Sequence, residues 1–233
     1  MPRRSDRFPK PLRAPLRWLW RQFDPHSRAV ARVQRRFPGE LLQPAGTTSE
    51  DRHPALFAEL KRQLRDHPEP RLLSFGCSTG EEAFTLLYYL PRARIDAIDL
   101  NARAIATAQR RARTNRIVFT QTGTPPGECY DAITCLSVLR HGDLDLLRPE
   151  TCTAILPFAR IDEVLQQIDA VLKPGGLLAI WGSNFLFTQS SLAVGYEPLD
   201  VPGMQAEIGV FFGTDDRRLP PQRNSQFLFR KRG

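Results

Sequence analysis

Between positions 72 and 82 the chain reads Leu-Leu-Ser-Phe-Gly-Cys-Ser-Thr-Gly-Glu-Glu. An apolar strand, a turn of small residues and the start of a helix follow one another. In open α/β sheets ligands sit at the carboxyl ends of such strands. Glycine at 76 lets the backbone approach a nucleoside closely. The dinucleotide fingerprint G-x-G-x-x-G lacks its middle glycine here, because Ser78 stands in that place. Glu81 and Glu82 fill the first turn of the helix, where carboxylates satisfy the positive helix end and repel a phosphate. A P-loop is excluded, since no Gly-Lys-Ser/Thr is present. Two acids at this position suit a cation, and S-adenosylmethionine carries a sulfonium and an ammonium but no phosphate. Asp99 closes the run Ile-Asp-Ala-Ile-Asp, 23 residues after Gly76. An acid ending the second strand is placed to accept from both ribose hydroxyls.

The elements that must hold these residues alternate. Strands are expected at 71–75, 95–99, 117–121, 130–139 and 176–187, with helices at 54–64, 80–90, 102–114 and 161–172. Lys173, Pro174 and Gly175 read as the stop of the last helix. Two late strands fit near 207–213 and 226–231. Strand–helix alternation calls for a parallel sheet flanked by helices. Before residue 43 the chain is different. A helix is expected from Pro15, and a second, basic one over about 26–36 before Pro38 and Gly39.

The net charge of +8 is unevenly placed. Residues 1–36 hold eleven basic side chains against Asp6 and Asp24, so 37–233 sum to about −1. The near-neutral body argues against a catalytic domain that itself binds a polyanion. Three readings fit the basic segment: a lid over the site, a helix on an anionic membrane surface anchored by Trp18, Trp20 and Phe23, or a contact with a polyanion. Cys77, Cys129, Cys135 and Cys152 show neither a C-x-x-C pair nor zinc spacing with the four histidines, so no metal is expected. Reduced thiols and the lack of an apolar leader point to a cytoplasmic protein. The uncharged run 174–196 opens Pro-Gly-Gly and holds Ser183, Asn184 and Gln189, which suits a strand and a polar loop better than a membrane span.

At these residues the chain resembles the class I S-adenosylmethionine-dependent methyltransferases. More narrowly, Gly76-Cys-Ser-Thr-Gly-Glu-Glu-Ala-Phe-Thr-Leu86 looks like the motif of the CheR-type enzymes, whose known members esterify glutamates of chemotaxis receptors. The resemblance runs on through IDAIDLN, YDAITCLSVL and LKPGGLLAIWGSN, covering roughly 43–187. Upstream, Thr48 and Arg52 match a T-x-F-F-R element. Glu50 and Asp51 replace its two aromatics, Leu136 and Ser137 stand in for an Arg and Asn of the family, and residues 1–42 are shorter than its N-terminal helical domain. The resemblance implies a Rossmann-like, seven-stranded, mostly parallel sheet with a late antiparallel strand, over 43–233, and a basic helical extension over 1–42. It implies that Thr48 and Arg52 hold the methionyl carboxylate, that Gly76, Cys77 and Gly80 form the cofactor turn, and that Glu82 takes the ammonium. Asp99 takes the ribose, Gln121 and Thr122 flank the adenine, and Leu136 and Ser137 line the methyl end.

In-line methyl transfer from a sulfonium needs alignment and exclusion of water more than activation. A carboxylate acceptor needs no base, whereas a hydroxyl or amine does. Arg140 and His141, just after the fourth strand, are the candidate catalytic pair: Arg140 to orient the acceptor, His141 as base. His53 can also reach the pocket. The expected activity is methyl transfer to an oxygen, a carboxylate being one option on a protein or small acid. The rivals are a small-metabolite or lipid-linked acceptor and a binding module without catalysis.

Overall fold

The computed structural model describes residues 25–44, 48–127 and 129–233. The helix expected from Pro15 lies outside the described residues. The chain divides after Leu41 into two compact units. The first contains α1 (Pro25–Arg36), whose last turn carries Arg35 and Arg36. Phe37 N–H bonds back to Val33, and Gly39 follows at φ +78°.

The second unit is built on seven strands: β1 (Arg71–Phe75), β2 (Arg94–Asp99), β3 (Ile117–Gln121), β4 (Tyr130–Leu136), β5 (Leu172–Trp181), β6 (Tyr196–Leu199) and β9 (Leu228–Lys231). A separate ribbon pairs β7 (Glu207–Ile208) with β8 (Arg223–Asn224). The sheet order is β3-β2-β1-β4-β5-β9-β6. The first five strands are mutually parallel, and β9 runs antiparallel between β5 and β6. This is the seven-stranded, mostly parallel architecture that the family resemblance implies. Among its described residues are the α-helices α2 (Pro54–Gln63), α3 (Glu81–Tyr89), α4 (Ala102–Arg111), α5 (Gly142–Leu147) and α6 (Phe158–Val171).

The strand sequences show why. All seven residues of β4 are buried, because a central parallel strand is covered on both faces. On the edge strand β3, exposed Val118 and Thr120 alternate with buried Ile117 and Phe119. Leu73, Ile133 and Leu178 pack into one core cluster, while Leu72, Ala132 and Leu177 pack into the other, so successive residues serve opposite faces. The strand order reverses between β1 and β4, and open sheets of this kind bind ligands in the crevice outside the carboxyl ends of the strands at such a point.

Several boundaries depart from expectation: β4 ends at Leu136 and not at 139, α4 ends at Arg111 and not at 114, and α6 begins at Phe158 and not at 161. Helix α6 ends at Val171, as Lys173-Pro174-Gly175 leads one to expect, but this segment does not wait for a later strand. It bulges within β5, whose register on β4 jumps from Tyr130↔Leu172 to Ala132↔Leu177. Lys173 Nζ fastens the bulge to Asp131 at 2.7 Å. β5 then stops at Trp181 instead of 187, since Gly182 turns to φ +66°. Helix α5 and strand β6 lie in stretches that the sequence left as loop. Of 207–213, only Glu207 and Ile208 form a strand; Phe211 and Phe212 enter the core from a loop. No helix among the described residues is long and apolar enough to cross a membrane.

Candidate functional site

The turn after β1 is fixed by its own backbone. The N–H groups of Gly76 and Cys77 both donate to Ile98 O at 2.9 Å, which ties the turn to β2. Gly76 has φ +79°, and a Cβ there would lie 2.3 Å from Val138 Cγ2. The missing side chain therefore makes room for the loop after β4. Gly80 caps α3 at φ +93°, with Phe84 and Phe119 each 3.0 Å from a notional Cβ. Cys77 points into the apolar core, and burial pushes its thiol far up, so it packs and does not react.

The two glutamates separate. Glu81 turns outward to Arg111, which also reaches Glu50 at 3.0 Å and the carbonyl of Thr79 at 3.0 Å. Burial favours the neutral acid of Glu81, but hydrogen bonds from Thr79, the backbone and Arg111 outweigh it and hold the group below the usual range. Glu82 turns toward the sheet. Its Oε1 accepts from Ser74 Oγ of β1 at 2.7 Å and from Thr134 Oγ1 of β4 at 2.5 Å. Burial raises the Glu82 carboxyl, against the opposing pull of the two hydroxyls and the charge of Arg52. One acid, not two, is left to meet a cation. Asp99 accepts from Ser78 N at 2.9 Å and Asn101 N at 2.7 Å. Desolvation raises it as well. A carboxylate has about four lone-pair positions, so two remain for a ligand's hydroxyls.

Around these acids stand the other expected residues. Arg52 lies over the Trp181 ring, 5.7 Å from its centroid. His53 packs against the same indole with ring centroids 4.1 Å apart. Thr48 is half-buried in the loop that leads to them. Gln121 pairs in register with Asp99 and donates to Leu100 O at 3.2 Å. Thr122 follows, its hydroxyl turned to the Thr124 backbone. Leu136 is buried at the end of β4 opposite Trp181. Ser137 holds φ +63° and donates its N–H to Trp181 O at 2.6 Å.

Arg140 and His141 are engaged by their neighbours. Arg140 Nε bonds Asp145 Oδ2 at 2.8 Å, and its guanidinium stands 3.6 Å from Glu207. His141 caps α5: its Nδ1 accepts from Asp143 N at 3.2 Å. The cap assigns the ring proton to Nε2, so Nδ1 is spent and Nε2 is a donor. Behind the pair, buried Asn184 accepts from His141 N and donates to Val210 O and Asp145 Oδ1. Burial raises the Glu207 carboxyl, offset in part by Arg140 and by the N–H of Gly182.

Residues 73–178 match the model of a family described as a methyltransferase domain. An uncharacterized protein of Synechococcus sp. is 32% identical over 157 residues, 62% of this chain and 34% of its own length. The ribosomal RNA small subunit methyltransferase C of Hahella chejuensis is 28% identical over 117 residues, 50% of this chain and 32% of its own. The solved structure of the plantazolicin methyltransferase BpumL in complex with SAH aligns with a TM-score of 0.42 at 18% identity, over 67% of this chain and 53% of that chain. The chain spans about a third of the length of the two curated relatives named.

Further residues lie here that the sequence does not single out. Trp181, Ser74 and Thr134 lie against the site, and Asn184 and Glu207 brace its exit. Only the strand-end position of Trp181 hints at its place. No group of three or more metal-ligating side chains occurs among the described residues.

His53 yields a pH prediction. Burial, helped by the charge of Arg52, lowers its pKa from 6.5 to about 4, and no described group bonds its buried Nε2. The unfolded chain binds the proton near pH 6.5 and the folded chain resists it. Stability is therefore whole above 6.5 and falls as pH drops toward 4. At pH 5 the loss from this group is about 2 kcal/mol. Urea unfolding at pH 7.5 and pH 5 should show that the wild type loses this much more than His53→Phe.

Proposed function

We propose that this protein transfers a methyl group from S-adenosylmethionine to an oxygen of its acceptor, and that the acceptor oxygen is a carboxylate. The observation that carries the cofactor is the charge pattern of the crevice. Buried Glu82 and nearby Arg52 offer an acid and a base to an amino-acid zwitterion, and Asp99 offers its remaining lone pairs to a ribose. A dinucleotide finds no match there, because the start of α3 is occupied by Glu81 and Glu82. In this reading Arg52 and Thr48 hold the methionyl carboxylate and Glu82 takes the ammonium. Gln121 and Thr122 flank the adenine. Leu136 and Ser137 form the floor near the transferred group, with Gly76, Cys77 and Gly80 shaping the turn. When bound, the cofactor supplies a methyl on a sulfonium, an electrophile that needs no further activation. Residues 43–233 form the transferase, and 1–42 an extension to it.

The carboxylate rests on the state of the exit pair. His141 Nδ1 is occupied by the helix cap, and Arg140 is tied to Asp145. An acceptor that arrives anionic needs neither of them as a base. The narrower CheR-type reading rests on the motif from Gly76 to Leu86 and on this feature of the exit. Calorimetry with S-adenosylmethionine and its demethylated product should show binding, and absence of both overturns the reading. A panel of carboxylate, hydroxyl and amine acceptors should then give a base-labile methyl ester. His141→Asn keeps a capping side chain and should retain the rate within about threefold. A loss of about 100-fold, the scale of a missing general base, would assign His141 that role and remove the carboxylate.

A further inference from the structure

The near-neutral body of the chain conceals a segregation of charge. Residues 92–116 hold seven arginines, no lysine and two aspartates, a net +5. Both aspartates lie within β2, and Asp99 belongs to the cofactor crevice. The segment forms one side of the sheet: the start of β2, all of α4 and the approach to the edge strand β3. Its remaining side chains at the surface are almost entirely cationic or amide.

The arginines are contiguous. On α4, Arg103, Thr107 and Arg110 follow at helical spacing, and Arg110 bonds the Thr107 hydroxyl at 3.1 Å. Arg113 bonds Arg110 O at 2.8 Å. Arg116 bonds Arg92 O at 2.9 Å, which carries the track to the amino ends of the strands. There a cavity of about 280 Å³ is lined by Arg71, Arg94 and Arg116 with Asn115 and one acid, Asp96, which pairs with Arg71 at 3.2 Å. Arg111 alone turns away, to Glu81 and Glu50. Arg94 and Arg116 share one carboxylate, Glu69, at 3.8 and 3.7 Å. Among the described residues, Arg92, Arg103, Arg110 and Arg113 form no ion pair and are exposed. Four unpaired guanidinium groups along one face repel each other, so the arrangement is best satisfied by a polyanion.

We infer that this arginine track binds the phosphate backbone of a nucleic-acid strand. The planar guanidinium fork fits phosphate oxygens in pairs, a geometry that lysine does not offer. A membrane surface fits less well, since the track presents one exposed apolar side chain, Val118, and no aromatic anchor. Helix α4 alone is about 15 Å long, the span of about four successive phosphates of a strand. The track starts at the amino end of α4, directly after Asp99, so a bound strand passes beside the mouth of the crevice. This surface is independent of the acceptor chemistry proposed above.

The test uses the full chain, with residues 1–36 intact and constant, and a fluorescent 20-nucleotide single-stranded RNA read by anisotropy without cofactor. Wild type should bind, with affinity falling steeply as salt rises. Arg103→Gln/Arg110→Gln/Arg113→Gln should weaken binding at least tenfold at low salt. It should also flatten the slope of log affinity on log salt by about 2, the value for three lost single-strand contacts. The Arg→Lys triple should keep the slope, and both variants should keep the wild-type melting temperature and affinity for S-adenosylmethionine. An unchanged slope in the Gln triple overturns the proposal and leaves the binding to other residues. Preference of the wild type for phosphatidylserine vesicles over RNA, lost in the same triple, overturns it in favour of a membrane.

Discussion

Replacing Asp99 with Ala should raise the Kd for S-adenosylmethionine by roughly 5- to 150-fold, about 1–3 kcal/mol, the scale for losing hydrogen bonds to a buried charged group. The carboxylate has two tasks, and they must be told apart. It accepts from the backbone N–H groups of Ser78 and Asn101, and in the proposed reading it also accepts from the ribose. Alanine removes both, so part of the loss comes from a loosened turn. Asp99→Asn keeps one acceptor oxygen and nearly the same volume. Its NH2 replaces one of the two accepting oxygens, so it should recover only part of the thermal stability and little of the affinity. S-adenosylhomocysteine should suffer the same loss, because it shares the ribose and lacks only the methyl and the sulfonium charge. Calorimetry with both ligands on both variants decides. Unchanged affinity in a folded Asp99→Ala protein removes Asp99 from the ribose site.

The position of Asp99 was legible because it follows from chain order alone: strand, turn, helix, strand. β1 and β3 were read to the residue, since short apolar runs closed by glycine or polar residues have one simple solution in a parallel sheet. The Lys173-Pro174-Gly175-Gly176 segment does stop the helix, at Val171, but local rules give no sign that it already belongs to the strand. In the folded protein Lys173 finds Asp131 across the sheet, and the strand resumes beyond the bulge. β6 contains Tyr-Glu-Pro-Leu, whose proline argues for a turn. Its strand character comes from β9, some thirty residues later. α5 has six residues, too few for periodicity to show, and its start depends on a histidine cap. In the site, Glu81 and Glu82 looked like one unit. Adjacent helical residues point about 100° apart, and that rotation sends one to Arg111 and the other to Ser74 and Thr134. The cluster of Arg52, His53 and Trp181 joins residues about 130 positions apart, and no local pattern announces it.

Gly76→Ala should destabilise the fold by about 2–5 kcal/mol, with two separable causes. The residue sits at φ +79°, where an L side chain costs about 1–2 kcal/mol. The added methyl also falls 2.3 Å from Val138 Cγ2, and overpacking of this kind costs about 1–3 kcal/mol. Val138 is half-buried, so Val138→Ala alone should cost less than a fully buried truncation. In the double variant the overlap disappears and the backbone cost stays. The double should therefore be more stable than the sum of the singles predicts, by about 1–2 kcal/mol. Chemical denaturation of the four proteins gives the coupling directly. The contact also links the turn after β1 to the loop after β4, which carries Ser137 and Arg140. Gly76→Ala should consequently weaken cofactor binding while leaving Asp99 and Glu82 in place, and Val138→Ala should restore part of it. Strict additivity in stability, with no recovery of binding, would mean that the backbone conformation alone demands glycine and that the two loops do not set each other's position.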